Sequence, residues 1–326
     1  MKARNLLILL SLILSVGLQE AAGGDGNGGS TGNYTSPTIG TLVYVPAGSF
    51  QRPSGFRSVD PESDISIISE PFRMSRHPVT QSQFEEVMGA NPSHFADGDD
   101  APGRPVERVN WYAAIAFANK LSLLEGLTPV YSVDGVDDWE ALAHGNIPIS
   151  NDNDWNAATA DWDADGYRLP TEMEWMWAAM GATEDALDDF DADGVNRSGY
   201  TKPFAGYNGS NSVGDYAWYS ENSNTGNGNT THPVGSKNAN ELGLYDMSGN
   251  VYEWIWDRLA AYPDGALIDY RGPASGSERI LRGGSQNGPA TNLSVEQRFV
   301  FEPHRNYTSI SFPPQTIDVG FRLVRR

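Results

Sequence analysis

Hydrophobic positions along the chain fall into three short helical patterns and a few strand-like runs, separated by long polar stretches. Residues 41–50 are rich in β-branched and aromatic side chains and end in Pro and Gly punctuation, which predicts a strand and a turn. Thr80 and Gln83 have the spacing of a capping box, Phe84, Val87 and Met88 share one helical face, and Gly89 closes the run. Asn110 can cap a second helix, in which Ala114, Ile115, Ala118, Leu121 and Leu124 recur at helical spacing before Gly126. Thr171 and Glu174 box a third helix that carries Trp175 and Trp177 and stops at Gly181. Elsewhere Gly, Asn, Ser, Asp and aromatics dominate, so long loops around modest strand content are expected. With no tandem repeat and no break in composition after Thr41, the pattern predicts one loop-rich α+β domain over residues 41–326.

The N-terminus reads differently. Lys2 and Arg4 precede an apolar stretch from Leu6 to Leu14, and small residues follow through Gly17 and Ala22, the order of a secretory signal over residues 1–22. The stretch is shorter than the roughly 20 apolar residues needed to cross a bilayer, so the mature chain is expected to carry no membrane span. Residues 23–40 are mostly Gly, Asn, Ser and Thr and are expected to form a flexible linker. The expected location is outside the cytoplasm: periplasmic, at the cell surface or secreted.

Charge and composition remove several functions. Acidic residues number 42 against 22 basic ones in 326, a formal charge of −20, which opposes binding to nucleic acid or anionic lipid. The absence of cysteine removes disulfides, thiolate metal sites and thiol nucleophiles together, and suits a bacterial envelope protein. The five histidines are scattered, with no pair at the spacing that places two ligands on one helical face. No nucleophile elbow, phosphate loop or dinucleotide fingerprint is present.

Calcium is the one cofactor with support from spacing. Asp161, Asp163 and Asp165 precede Gly166, with Glu172 at the twelfth position of a calcium loop; Asp189, Asp191 and Asp193 repeat the first half. Residues 134–165 hold nine acids and no Lys or Arg, so a solvated acidic loop is the competing reading.

Six blocks in fixed order carry a family resemblance. They are Phe72-Arg-Met-Ser-Arg-His-Pro-Val-Thr-Gln-Ser-Gln-Phe84, Pro105-Val-Glu-Arg-Val-Asn-Trp111, Gly166-Tyr-Arg-Leu-Pro-Thr-Glu-Met-Glu-Trp175, Gly243-Leu-Tyr-Asp-Met-Ser-Gly-Asn-Val-Tyr-Glu-Trp254, Arg282-Gly-Gly-Ser285 and Gly320-Phe-Arg-Leu-Val324. Together they resemble the formylglycine-generating enzyme, or sulfatase-modifying factor, family over nearly all of residues 41–326. The resemblance implies an elaborated C-type lectin fold. It also implies that the two cysteines of the oxidase members would stand at the third and eighth residues after Ser285, which are Gly288 and Leu293 here. Neither side chain can hold copper, so no copper and no formylglycine chemistry are expected. The blocks then serve the fold: Arg168 and Glu174 as a buried ion pair, Trp111, Trp175 and Trp254 as core aromatics. Asn250, the carbonyl of Val251 and Glu253 match positions that bind structural calcium in the family.

Between Arg282-Gly-Gly-Ser285 and Gly320, residues 286–316 mix Asn, Gln, Ser, Thr, Tyr, Phe, His and Arg without a period. A family-type domain without the cysteines and with this irregular closing segment resembles the variable proteins of diversity-generating retroelements, of the treponemal variable-protein type. In those proteins the segment is the ligand-binding face, while Arg282, Gly283, Gly284, Gly320, Phe321 and Arg322 would be scaffold. The residues expected to meet a protein or glycan ligand are Gln286, Asn287, Thr291, Asn292, Ser294, Gln297, Phe299, His304, Arg305, Asn306 and Tyr307. An ordinary polar loop is the competing reading of the segment. The competing function is a cysteine-independent enzyme, or an accessory domain of the same family.

Overall fold

In the computed structural model, residues 32–53, 64–226, 228–305 and 318–326 are described. The region expected as signal, residues 1–22, lies outside them.

Local pairing begins earlier than the polar composition suggests. Strand β1 (Tyr34–Ser36) lies inside the stretch expected as a linker and pairs antiparallel with β2 (Gly40–Val45). The buried Ser36 closes this hairpin, because its hydroxyl accepts the amides of Thr38 and Ile39 at 3.2 and 2.9 Å. The expected single strand over 41–50 is two strands. Pro46 lacks the amide a ladder needs, and β3 (Gly48–Gln51) leaves for a second sheet with β4 (Ile65–Ile68), while β5 (Phe72–Ser75) returns to β2.

The capped helices form where their signals stand. Helix α1 (Gln81–Met88) has both halves of the Thr80–Gln83 box and ends at Gly89 with φ 72°. Helix α2 (Trp111–Leu124) is capped by Asn110 Oδ1 on the amide of Ala113 at 2.8 Å. The short pair β6 (Tyr131–Ser132) and β7 (Thr159–Ala160) brackets α3 (Asn153–Asn156). Helix α4 (Glu172–Ala179) has the Thr171–Glu174 box, and Arg168 grips the same Glu174 at 2.6 and 2.7 Å.

After β8 (Val195–Asn196) the chain runs through loops to β9 (Tyr252–Arg258), β10 (Leu267–Ile268), β11 (Arg279–Arg282), β12 (Phe299–Phe301), β13 (Val319–Gly320) and β14 (Val324–Arg325). Three four-stranded sheets result, in the orders β1-β2-β5-β14, β10-β4-β3-β8 and β12-β11-β9-β13. One core gathers around α2, whose Trp111, Tyr112, Ile115 and Phe117 are fully buried, and reaches Trp254, Phe321 and Leu323. Another gathers around α4, with Trp175, Met176 and Trp177 against Val45, Phe50 and Met74. Arg279 is buried against the first of these cores, with its guanidinium carbon 3.7 Å from the Trp111 ring centre and 5.0 Å from that of Trp256. The third sheet matters most for function, because β11 feeds the closing segment and β13 receives it, both against β9.

Candidate ligand-binding face

The closing segment leaves β11 through a turn that only glycine fits. Gly284 has φ 75°, and a Cβ there would stand 2.8 Å from the carbonyl oxygen of Asn292. The returning Gly320 packs so closely that a Cβ would stand 2.4 Å from the carbonyl of Val106. Both expected scaffold blocks therefore bring backbone against backbone.

Between them, a buried charge network fixes the chain. Arg282 Nη1 donates to the carbonyls of Val295 and Gln297 at 2.9 and 3.1 Å. Its Nη2 donates to Glu172, which also accepts Arg298 Nε and Nη2 at 2.8 and 2.9 Å. Arg298 further donates to the Ala260 carbonyl at 2.9 Å and lies over the Tyr262 ring at 4.2 Å. Leu293 is buried beside Phe204, Ala217 and Tyr219, and Val295 beside the α4 core. Among the described residues of the segment, these anchored positions do not face outward.

The expected contact residues divide accordingly. Asn287, Thr291 and Arg305 are exposed; Asn292, Ser294, Gln297, Phe299 and His304 are half-buried. Asn306 and Tyr307 lie outside the described residues. Gln286 does not belong to the face: it is 1% exposed, its amide N–H donates to the Asn250 carbonyl at 2.9 Å, and its side chain donates to Asp318. Composition marked it as polar and displayed; position, directly after a buried turn, makes it part of the core. Phe299 is shared between roles, standing on the edge strand β12 with its ring 4.8 Å from that of Tyr252, edge to face. Asn292 Nδ2 reaches the Tyr252 hydroxyl at 3.4 Å, and Arg305 pairs with Glu302.

The structure adds a neighbour that local reading missed. The 218–232 loop borders the first turn of the segment: Ser220 N–H donates to the Gly288 carbonyl at 3.0 Å, Ser223 Oγ to that of Gln286 at 2.7 Å, and Asn229 Nδ2 to Asn287 Oδ1 at 3.1 Å. Trp218 in this loop stacks on His232 at 3.7 Å. No sequence spacing carries contacts across more than fifty residues, so they had no signal to find.

The expected calcium positions do not fit the ion. Glu253 accepts Arg322 Nε and Nη2 and Trp175 Nε1, at 2.7 to 2.9 Å. Asn250 Oδ1 accepts the His232 amide at 3.0 Å, and its Nδ2 donates to the His232 carbonyl at 3.0 Å. In the acidic loop, Asp161 Oδ1 accepts the Asp163 amide at 3.0 Å, Asp165 Oδ1 accepts the Thr128 amide at 2.9 Å, and Asp163 points to solvent. Glu172, the twelfth position, is occupied by Arg282 and Arg298. These side chains are turned to different partners or to solvent, and among the described residues no three acids or histidines converge on one point that could hold a cation.

At the positions expected for the oxidase cysteines, Gly288 and Leu293 offer no donor; Leu293 is fully buried in apolar surroundings. The two thiolates that the family resemblance would place at these positions are missing, because the chain contains no cysteine. Among the described residues, no helix is long and apolar enough to cross a membrane.

Comparisons with known proteins agree with this layout. The profile of the sulfatase-modifying factor enzyme 1-like domain matches residues 30–326. A chaperone protein LppX from Paenibacillus barcinonensis is 36% identical over 267 residues, covering 78% of this chain and 81% of that one. A formylglycine-generating enzyme from Thermomonospora curvata is 28% identical over 269 residues, covering 75% and 82%. Among solved structures, Treponema denticola variable protein 1 superposes with a TM-score of 0.73 at 37% identity, covering 90% of this chain and 98% of that one. The structure of CarF does so with a TM-score of 0.58 at 26% identity, covering 87% and 97%. The fold is α+β, of the C-type lectin type elaborated as in formylglycine-generating enzymes and variable proteins. With the family profile spanning nearly the whole described fold, the chain belongs to the sulfatase-modifying factor enzyme 1-like domain family.

Proposed function

We propose that the protein is a non-catalytic, exported binding protein that presents residues 287–305 to a protein or glycan ligand. One observation carries the reading. The segment that holds the oxidase cysteines elsewhere in the family is here anchored from beneath by Arg282, Arg298, Leu293 and Val295, while Asn287, Thr291 and Arg305 face solvent without a thiol among them. Buried anchors keep the backbone fixed whatever the outward side chains are, which is what a displayed recognition surface requires. The likeness to a protein called variable protein 1 supports the same reading, as does the relative named as a chaperone, LppX. A neighbouring reverse-transcriptase gene with a template copy of the 3′ coding end would extend the reading to a sequence-variable surface.

The test is binding of purified protein to intact cells and to immobilised glycans, alongside a variant in which Asn287, Thr291, Asn292, Gln297 and Arg305 are all alanine. Binding that is lost in the folded variant supports the proposal. Binding that survives the replacements removes this face as the contact surface.

A further inference from the structure

The loops between α4 and β9 enclose a buried amine. Lys202 Nζ stands 2.7 Å from Asp185 Oδ1 and 2.5 Å from Glu241 Oε1, and it donates to the Met180 carbonyl at 2.8 Å. The side chains of Lys202 and Asp185 are both 0% exposed, and that of Glu241 is 13% exposed. Among the described residues, no other basic side chain forms an ion pair with either acid. A simple buried ion pair needs one carboxylate, and here two meet a single ammonium.

The two carboxyl groups are held differently. Asp185 Oδ2 accepts Asn196 Nδ2 at 2.6 Å, and Oδ1 accepts the Leu187 amide at 2.9 Å. Gly199 closes over the first of these oxygens, since a Cβ there would stand 2.4 Å from Oδ2. Glu241 Oε1 accepts the Ala186 amide at 3.2 Å, while its Oε2 is buried with no hydrogen-bond partner among the described residues. Asp185 is therefore polarised as an electrophile, with the Asn196 donor at the oxygen where negative charge develops on attack. Glu241 keeps an oxygen that can carry a proton.

We propose that Lys202 Nζ and Asp185 Cγ join in an intramolecular amide bond, with Glu241 as the proton carrier. One ammonium proton passes to Asp185 Oδ1 across the 2.7 Å contact and a second to Glu241. The Nζ lone pair then attacks Cγ, and the carbonyl electron pair moves to Oδ2 against Asn196 Nδ2. Collapse of this intermediate breaks the Cγ–Oδ1 bond, and Oδ1 leaves as water after taking the second proton back from Glu241. An ammonium and a carboxylate become an amide and one water, and no other reactant is consumed. Fixed contact between nucleophile and electrophile supplies the effective concentration that the same groups lack in solution. The bond ties the chain entering β8 to the chain leaving it, and gives a protein without cysteine a covalent staple.

The test is a trypsin digest of the full chain under denaturing conditions, read by mass spectrometry. Trypsin does not cut at Lys202, because Pro203 follows, so Asp185 lies in the peptide of residues 169–197 and Lys202 in that of residues 198–237. The expected result is one joined species, lighter by one water than the sum of the two peptides. Two separate peptides at full mass overturn the proposal. A link from residues 198–237 to residues 238–258, which contain Glu241, overturns the choice of Asp185 as electrophile. Lys202→Met and Asp185→Ala should abolish the joined species, and Glu241→Gln should slow its formation by about 100-fold. Linking at the wild-type rate in folded Glu241→Gln overturns the role of Glu241. The wild-type digest decides the bond itself, whether or not the variants fold.

Discussion

Arg322 holds Glu253 through paired hydrogen bonds, Nε to Oε2 at 2.8 Å and Nη2 to Oε1 at 2.7 Å, with both side chains sealed from solvent. Trp175 Nε1 donates to the same carboxylate at 2.8 Å, so this pair joins β9, the C-terminal block and α4. Removing one partner of a buried pair strands the other, so Arg322→Met is expected to cost about 3–5 kcal/mol, more than a double replacement of Arg322 and Glu253 by apolar residues. Urea unfolding measures both. A single-variant cost below about 1 kcal/mol would contradict the role assigned to the pair.

The closing segment should separate into two classes of position. Asn287→Ala and Thr291→Ala are expected to change stability by no more than about 0.5 kcal/mol each, as exposed substitutions usually do. Leu293→Ala, which empties a fully buried site beside Phe204 and Tyr219, is expected to cost about 2–5 kcal/mol. Equal costs at Thr291 and Leu293 would mean that the segment has no outward face.

Gln286 gives a sharper distinction within one residue's distance. Gln286→Ala deletes the donor to Asp318 and is expected to cost about 1–3 kcal/mol, the penalty of leaving a buried polar group unsatisfied. Its neighbour Asn287, an exposed residue whose side chain accepts from that of Asn229, should tolerate the same change. Thermal unfolding of the two variants side by side checks this.

Purified protein incubated with copper and a cysteine-containing sulfatase peptide is expected to yield no formylglycine above a protein-free control, measured by mass spectrometry. Gly288 and Leu293 provide no thiolate, and none exists elsewhere in the chain. Turnover would require a cysteine-independent chemistry on this fold and would favour the enzymatic reading.

Stability should fall as pH rises from about 4 to about 8. Asp318 keeps its proton in the folded protein up to about 8, because of burial and the Glu107 charge, while in the unfolded chain it ionises near the ordinary carboxylate value. The folded state therefore binds more protons across that window, and raising pH favours unfolding. Asp257, Asp246 and Glu107, all raised chiefly by burial, add in the same direction. His77, lowered by burial and by Arg322 to about 4, opposes it below the ordinary histidine value, since there the unfolded state takes the extra proton. Melting temperatures between pH 6.5 and 8 isolate the carboxyl effect; Asp318→Asn should flatten the profile, and an unchanged slope would refute the assignment.

Sequence alone determined what depends on neighbours a few residues apart. The Thr80–Gln83 and Thr171–Glu174 boxes and the Asn110 cap started their helices because each satisfies amides within three residues. The ordered blocks named the family, and the absence of cysteine removed its oxidase chemistry, since both are facts of composition and order. Tertiary structure decided the identity of every long-range partner. Glu172 had the spacing of a calcium ligand, but its carboxylate meets Arg282, 110 residues away, and Arg298, 126 residues away. Gln286 had the composition of a contact residue but is buried against Asp318, 32 residues on. Polar side chains look alike in a sequence whether they face water or a distant partner, and only the packing of β9, β11 and β13 fixes which of these partners each one meets.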